Sequence, residues 1–172
     1  MGGVNKQNEV IIYDAVSGAI LKEIRRDGPA LAIAFSRDGK YITVGGTDNK
    51  AVIYDDVGLI TILHEFVHEL TIWAIAFSAD SSLFALACNK NAVIYRYDGK
   101  GAVVLNEFES SGFVYCIAFS LDSSKLLIGG AENKLIIYDV KSANIDKEIK
   151  CDGCINSIAV SEDNTQIAIG CD

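Results

Sequence analysis

The chain has 172 residues, 50% hydrophobic and 22% charged, with a single proline, a composition that can bury a core and argues against a disordered protein. Its net charge of -8, with no basic block longer than Arg25-Arg26, would repel phosphate groups, so we expect no nucleic-acid partner. No apolar run reaches the roughly 20 residues that span a bilayer, and residues 1–9 are too polar for a secretory signal, which predicts a cytoplasmic or nuclear protein without a membrane partner.

Short apolar runs separated by turn residues predict β-strands along the whole chain, and no helical periodicity competes with them. In chain order these runs are residues 10–14, 19–24, 31–35, 41–45, 51–55, 61–66, 73–77, 83–87, 92–96, 103–108, 115–119, 125–129, 135–139, 144–149, 156–160 and 166–170. The sequence therefore predicts an all-β fold.

The strands repeat with a nearly constant period. The motif Ala-Phe-Ser begins at Ala34, Ala76 and Ala118, and Ala159-Val160-Ser161 is a fourth copy, at spacings of 42, 42 and 41 residues. A period of about 40 to 45 residues made of short strands is typical of one blade of a β-propeller. We therefore predict a β-propeller with four four-stranded blades per chain.

A turn and a strand recur in each copy. The Ser of the motif is also the first residue of a Ser-x-Asp turn, as in Ser36-Arg37-Asp38. The Asp of this turn can bond the backbone two residues further on, which favours a tight hairpin. The third strand is almost continuously apolar and β-branched, as in residues 51–54. Such a strand is expected to be covered on both faces, here by the neighbouring blades.

We expect one blade to be split between the two ends of the chain, because the chain begins just before a predicted third strand and ends just after a predicted second strand. The predicted single domain, residues 1–172, then has its blades at residues 154–172 plus 4–25, 30–66, 72–108 and 114–149.

These repeats resemble the WD-repeat β-propeller family over essentially the whole chain. Tyr-Asp at residues 13–14, 54–55 and 138–139 stands where that family has Trp-Asp. His68, nine residues before Phe77, stands at the His of the family's Gly-His pair, although the Gly is absent.

The family's turn Asp between the second and third strands is also partly present. Asp48 and Asp172 fall on it, and Asn89 and Glu132 replace it in the other copies. No blade keeps the complete hydrogen-bonded set of Asp, His, Ser/Thr and Trp, so the repeats are degenerate.

How the ring closes is left open by the sequence. The WD-repeat family usually builds rings of seven or eight blades, and small residues such as Ala34, Ala76 and Ala118 recur on the innermost strand, where narrow wedges crowd the axis. Four such blades make half a ring, which a homodimer would complete as eight blades about a two-fold axis. The alternatives are a monomeric four-bladed ring and a fragment of a longer propeller protein.

Two short motifs could indicate metal chemistry. His64-Glu65-Phe66-Val67-His68 matches H-E-x-x-H, which binds zinc on a helix; here the segment is predicted as a strand, where the two His lie roughly 13 Å apart. Cys151-Asp152-Gly153-Cys154 is a lone C-x-x-C pair, which we interpret as reduced thiols. We predict no enzyme, no catalytic or metal-binding residue and no cofactor, with a zinc-dependent hydrolase as the alternative.

Recognition of another protein is the remaining function. In WD-repeat proteins the ring face at the entry to the innermost strand often contacts ligands, and the resemblance implies that side chains four and six residues before the Phe of Ala-Phe-Ser lie there. The candidate partner-binding residues are Leu31, Thr71, Trp73, Phe113, Tyr115 and Asn156. Aromatic residues are enriched in binding hot spots, but they also pack loops against neighbouring blades. The sequence thus predicts a scaffold for a protein or peptide, with a purely architectural half-propeller as the alternative.

Overall fold

The computed structural model describes residues 8–55 and 61–172, so the predicted start of the split blade at residue 4 lies outside the described residues. The described residues form sixteen strands and contain no helix long and apolar enough to span a membrane. The strands are β1 (Glu9–Tyr13), β2 (Ile20–Arg25), β3 (Ala30–Phe35), β4 (Tyr41–Gly46), β5 (Lys50–Asp55), β6 (Ile62–Val67), β7 (Ile72–Phe77), β8 (Leu83–Cys88), β9 (Asn91–Tyr97), β10 (Ala102–Glu109), β11 (Val114–Phe119), β12 (Lys125–Gly130), β13 (Lys134–Asp139), β14 (Ile145–Lys150), β15 (Ile155–Val160) and β16 (Ile167–Cys171).

The prediction of an all-β fold is confirmed, and every strand end lies within one residue of its predicted position. Three antiparallel sheets have four strands each, in the orders β3-β4-β5-β6, β7-β8-β9-β10 and β11-β12-β13-β14. β1 pairs with β2, and β15 with β16, as separate two-stranded sheets. We call these two pairs the N-terminal and C-terminal half-blades.

The Ser-x-Asp turn closes the hairpin between the first two strands of each four-stranded sheet and between the two strands of the C-terminal half-blade. In the first copy Asp38 Oδ1 accepts bonds from Ser36 Oγ at 2.7 Å and from the N–H of Lys40 at 3.2 Å. Ser36 Oγ in turn accepts the N–H of Tyr41 at 2.9 Å. The bond from the backbone two residues beyond the Asp is present in all four turns, as predicted. Both polar side chains are thus used to hold the turn.

The sheets stand side by side in one row. The innermost strands pack in the order β3, β7, β11, β15, and an apolar cluster fills the space between each sheet and the next. Residues 51–54 of β5 are buried, as predicted for a strand covered on both faces. Gly45 lets the sheets approach closely, because a Cβ on it would lie 2.6 Å from Ile72 of the next sheet.

The two half-blades lie at opposite ends of this row. The N-terminal half-blade packs Val10, Ile12 and Ile24 on the β3–β6 sheet, and the C-terminal one packs Ile155 on the β11–β14 sheet. Within the described residues they do not pair with each other, so the pairing that a monomeric four-bladed ring needs is absent there.

Apolar side chains at the ends of the row are exposed, although their repeat equivalents are buried. Tyr13 on β1 is 54% exposed, whereas Tyr54 at the same position of β5 is 5% exposed. At the other end Ile167 on β16 is 39% exposed, whereas Leu126 at the same position of β12 is fully buried. Each end of the row therefore presents an apolar blade face that nothing in the described chain covers.

Candidate functional site

Three of the predicted partner-binding residues form one aromatic cluster. Trp73 on β7 and Tyr115 on β11 come from adjacent innermost strands, and their rings meet edge to face with centroids 5.9 Å apart. The ring of Phe113, in the loop before β11, lies parallel to that of Tyr115 at 6.4 Å. Trp73 and Phe113 are exposed, and Tyr115 is half-buried. The aromatic cluster, defined as Trp73, Phe113 and Tyr115, therefore joins two blades and presents two rings to solvent.

The other three predicted residues flank this cluster. Leu31 lies exposed on β3, and Thr71 immediately precedes β7. Asn156 on β15 donates its Nδ2–H to Asp172 Oδ1 at 2.6 Å, so its side chain is tied to the C-terminal half-blade. The predicted set thus follows the entry ends of four successive innermost strands, with its only ring contacts among the described residues inside the aromatic cluster.

The H-E-x-x-H segment lies on a strand, as predicted. Residues 64–67 belong to β6, and the ring of His64 contacts the ring of Phe66 at 4.4 Å. Among the described residues no group of three or more His, Cys, Asp or Glu side chains could hold a metal ion. The helical geometry on which this zinc motif depends is therefore missing here.

A second set of polar residues recurs where each fourth strand ends. In each blade one residue directly follows the fourth strand. Its backbone N–H donates to the carbonyl of the residue that precedes the third strand of the same blade. We call this place in the blade the inter-blade position, because the side chain there faces the next sheet, at the turn before that sheet's third strand. The residues at the inter-blade position are Arg26, His68, Ser110 and Cys151.

At the first inter-blade position Arg26 is locked into the β3–β6 sheet. Its Nη2 bonds Asp48 Oδ1 at 2.7 Å and the carbonyl of Lys50 at 2.8 Å, and its Nη1 bonds the carbonyl of Val44 at 3.2 Å. The N-terminal half-blade is therefore held to the next sheet by a charged and directional contact as well as by apolar packing.

At the third inter-blade position Ser110 bonds Glu132 Oε1 at 2.6 Å. The same oxygen accepts the hydroxyl of Ser111 and the N–H of Gly112, and Lys134 Nζ lies 3.0 Å from Oε2. Burial is the largest single influence on the pKa of Glu132 and raises it, but these hydrogen bonds together outweigh it and lower the pKa to about 2. Glu132 is thus held ionised.

At the second inter-blade position His68 is less well satisfied. Its Nδ1 lies 3.7 Å from Cys88 Sγ, its ring meets the ring of Tyr95 at 6.4 Å, and its buried Nε2 has no hydrogen-bond partner. Burial lowers the pKa of His68, with Glu107 opposing that shift. A cavity of about 370 Å³ opens beside it between the β3–β6 and β7–β10 sheets.

Two models of known protein families match the sequence. Residues 75–163 match the model described as the anaphase-promoting complex subunit 4 WD40 domain, and residues 21–55 match that of the WD domain, G-beta repeat. The first match covers more than half of the chain. The chain belongs to the WD-repeat family. No curated protein matches the sequence significantly.

Family membership carries a general function. WD-repeat domains generally act as scaffolds for protein–protein interaction, and the family is typically non-catalytic. The WD-repeat resemblance assigned only His68 to the His position, whereas Arg26, Ser110 and Cys151 occupy that position in the other blades. Arg26, Ser110 and Cys151 could be identified from the sequence because each comes just after a predicted fourth strand.

Proposed function

We propose that this WD-repeat chain is a non-catalytic scaffold that binds a protein or peptide through its aromatic cluster. The observation that carries this proposal is the edge-to-face pair of Trp73 and Tyr115 across two blades, with Trp73 and Phe113 open to solvent. Aromatic side chains offer a large contact area at little cost in conformational entropy, which is why they are enriched in binding hot spots.

Loss of a partner by surface variants tests this proposal. A peptide array identifies ligands, and their affinities are then measured with the wild-type chain and with Trp73→Ala combined with Tyr115→Ala. We expect the double variant to keep its fold and to lose about 2 kcal/mol or more of binding free energy. Val103→Ala, at an exposed apolar residue on outer strand β10, is the matched control and should bind as the wild type does.

Two results would contradict this site. A double variant that misfolds would show that the aromatic residues are core, and unchanged affinity would place the partner elsewhere. A chain that binds no array ligand but assembles normally would favour the purely architectural half-propeller.

We also propose that two chains form one eight-bladed ring. Each composite blade would pair β16 of one chain with β1 of the other, in the order β15-β16-β1-β2, which matches the order within the complete sheets. Residues 154–172 of one chain and 4–25 of the other would then make one blade. The supporting observation is that Tyr13 and Ile167 are exposed at opposite ends of the row where their repeat equivalents are buried.

The assembly is tested by light scattering on the full chain. We expect twice the chain mass of 18.5 kDa. Tyr13→Arg should reduce the mass toward one chain, because it places a charge in the proposed interface. Val16→Arg, at an exposed apolar residue in the loop after β1, is the control and should keep the dimer. A compact monomer at high micromolar concentration would contradict the ring.

A further inference from the structure

The cavity beside His68 lies at the second inter-blade position. His68 lines it from the segment after β6. From the facing β7–β10 sheet come Asn89, Asn91, Tyr95 and Glu107. Its volume of about 370 Å³ falls in the range of roughly 300–1,000 Å³ that small-ligand pockets occupy. Its polar groups are therefore available to a ligand that enters between two blades.

The first inter-blade position shows what this place in the fold can hold. There the guanidinium of Arg26 bonds the turn residue Asp48 and two backbone carbonyls, and it also bonds the hydroxyl of Tyr54. At the second position His68 replaces Arg26, Asn89 replaces Asp48, and Tyr95 stands where Tyr54 does. The acceptor on the turn and the aromatic wall are therefore kept, while the cation is absent.

A second cation is also missing from the β7–β10 sheet. In the two other complete sheets the glutamate of the fourth strand is paired with the first residue of the third strand. These pairs are Lys50 with Glu65 at 3.2 Å and Lys134 with Glu148 at 3.0 Å. In the same register the β7–β10 sheet has Asn91 and Glu107. No lysine or arginine of the described chain pairs with Glu107, so an uncompensated carboxylate lines the cavity.

We propose that this cavity binds the side chain of an arginine presented by a peptide or protein partner, at a site separate from the aromatic cluster. The guanidinium would donate to the hydroxyl of Tyr95, to the carboxylate of Glu107 and to the amide oxygen of Asn89. It takes the place that Arg26 fills at the neighbouring junction.

Arginine fits this set of acceptors better than lysine does. A guanidinium has five N–H donors in a planar fork, so it can serve several oxygens at once. An ammonium group is a compact, strongly hydrated charge that suits fewer acceptors. Burial lowers the pKa of His68, so its imidazole is neutral at pH 7 and does not repel the ligand.

The experiment titrates the full chain with three acetylated and amidated tripeptides, Gly-Arg-Gly, Gly-Lys-Gly and Gly-citrulline-Gly. Citrulline keeps the shape of arginine without its charge. Binding is followed by the NMR signals of the His68 ring, with the ring of His64 on β6 as an internal reference. We expect saturable shifts at His68 alone and an affinity for the arginine peptide at least about tenfold above that for the citrulline peptide.

Three variants assign the site. Asn91→Lys gives Glu107 the internal partner that Lys50 and Lys134 provide in the sister sheets, and it should abolish arginine binding. Glu107→Gln should weaken binding about tenfold or more. Glu65→Gln is the matched control, since Glu65 has the same register in the β3–β6 sheet but is paired with Lys50, and it should leave binding unchanged.

Each result bears on the proposal. Equal affinity for arginine and citrulline, binding that survives Asn91→Lys in a folded chain, or no saturable shift of His68 at millimolar peptide would overturn it. Because Asn91→Lys introduces the residue that the other blades already carry at this register, it tests the site even if Glu107→Gln fails to fold. A partner lost with Trp73 but kept in Asn91→Lys would support the aromatic cluster without supporting this cavity.

Discussion

Arg26 and Asp48 form an ion pair of 2.7 Å in which both side chains are almost completely buried, at 2% and 6% exposed. Arg26 belongs to the segment after β2, and Asp48 belongs to the turn between β4 and β5. Breaking a buried pair by removing one partner leaves an uncompensated charge, which is more costly than losing a surface pair. This pair therefore holds the N-terminal half-blade in place.

The first prediction follows from this pair. Arg26→Ala should lower the free energy of unfolding by about 3–5 kcal/mol, because Asp48 is left buried without its partner. The matched control is Arg25→Ala, since the neighbouring Arg25 side chain is mostly exposed, and it should cost less than about 1 kcal/mol. Urea denaturation followed by fluorescence measures both. An equal decrease in the free energy of unfolding for the two variants would show that the buried ion pair stabilises the chain no more than the exposed Arg25 does.

The second prediction concerns acid. Because hydrogen bonds hold the pKa of Glu132 in the folded chain at about 2, below the ordinary 4.5, its contribution to stability is present above about pH 4.5 and is lost as the pH falls toward 2. Glu132→Gln should therefore destabilise the chain by about 2 kcal/mol at pH 7 and by progressively less as the pH falls.

Unfolding in denaturant at a series of pH values measures this difference. Ser110→Ala, which removes one of the donors to Glu132, should show a smaller change in the same direction. A gap between wild type and Glu132→Gln that stays constant from pH 7 to pH 2 would be inconsistent with ionised Glu132 as the cause.

The third prediction concerns the attachment of the C-terminal half-blade. A Cβ on Gly129 would lie 2.7 Å from Ile155 Cγ2 and 3.0 Å from Cys116 Sγ. Gly129→Ala should therefore destabilise the chain by about 1–3 kcal/mol through overpacking. Gly101→Ala is the control, because nothing lies within 4 Å of its Cβ, and it should be neutral or stabilising by less than about 1 kcal/mol. Thermal unfolding compares the two, and a neutral Gly129→Ala would mean that the half-blade shifts freely.

The fourth prediction concerns zinc. Protein purified without chelators and without metal-affinity chromatography should contain well under one equivalent of zinc by elemental analysis. On an extended strand the two histidines of the H-E-x-x-H match are separated by roughly 13 Å along the chain, too far apart to share one ion at about 2 Å from each. Stoichiometric zinc that disappears when His64 and His68 are both replaced by Ala would contradict this expectation and favour the hydrolase.

Much of the fold is readable from the sequence, because its signals are local and occur four times. Alternating apolar residues and the Ser-x-Asp turns mark the strand ends, and the repeat places Trp73 and Tyr115 at equivalent positions of neighbouring blades. The pairing of Arg26 with Asp48 does not follow from the sequence, because the two residues are far apart in the chain and only one blade keeps the family's His.

The cavity beside His68 could not be predicted for a different reason. It coincides with three differences between the repeats, His68 for Arg26, Asn89 for Asp48 and Asn91 for Lys50, and none of them alone predicts open space. Only the distance between two packed sheets shows that together they leave open space. In the same way, Tyr13 and Tyr54 are indistinguishable as sequence, and their different exposure follows from where the half-blades lie.

In the proposed ring the edge of β1 in one chain would pair with the edge of β16 in the next, so each chain would contribute two different and complementary ends. Chains that associate head to tail form a closed ring when the rotations between successive chains add up to a full turn. Otherwise they continue to add and form a helical filament. The rotation from one blade to the next is set by the packing between sheets, including the close contact of Gly129 with Ile155. In the proposed assembly, the packing between blades would therefore set the number of chains in one ring. Substitutions there are expected to change how many chains close a ring, and surface substitutions elsewhere are not.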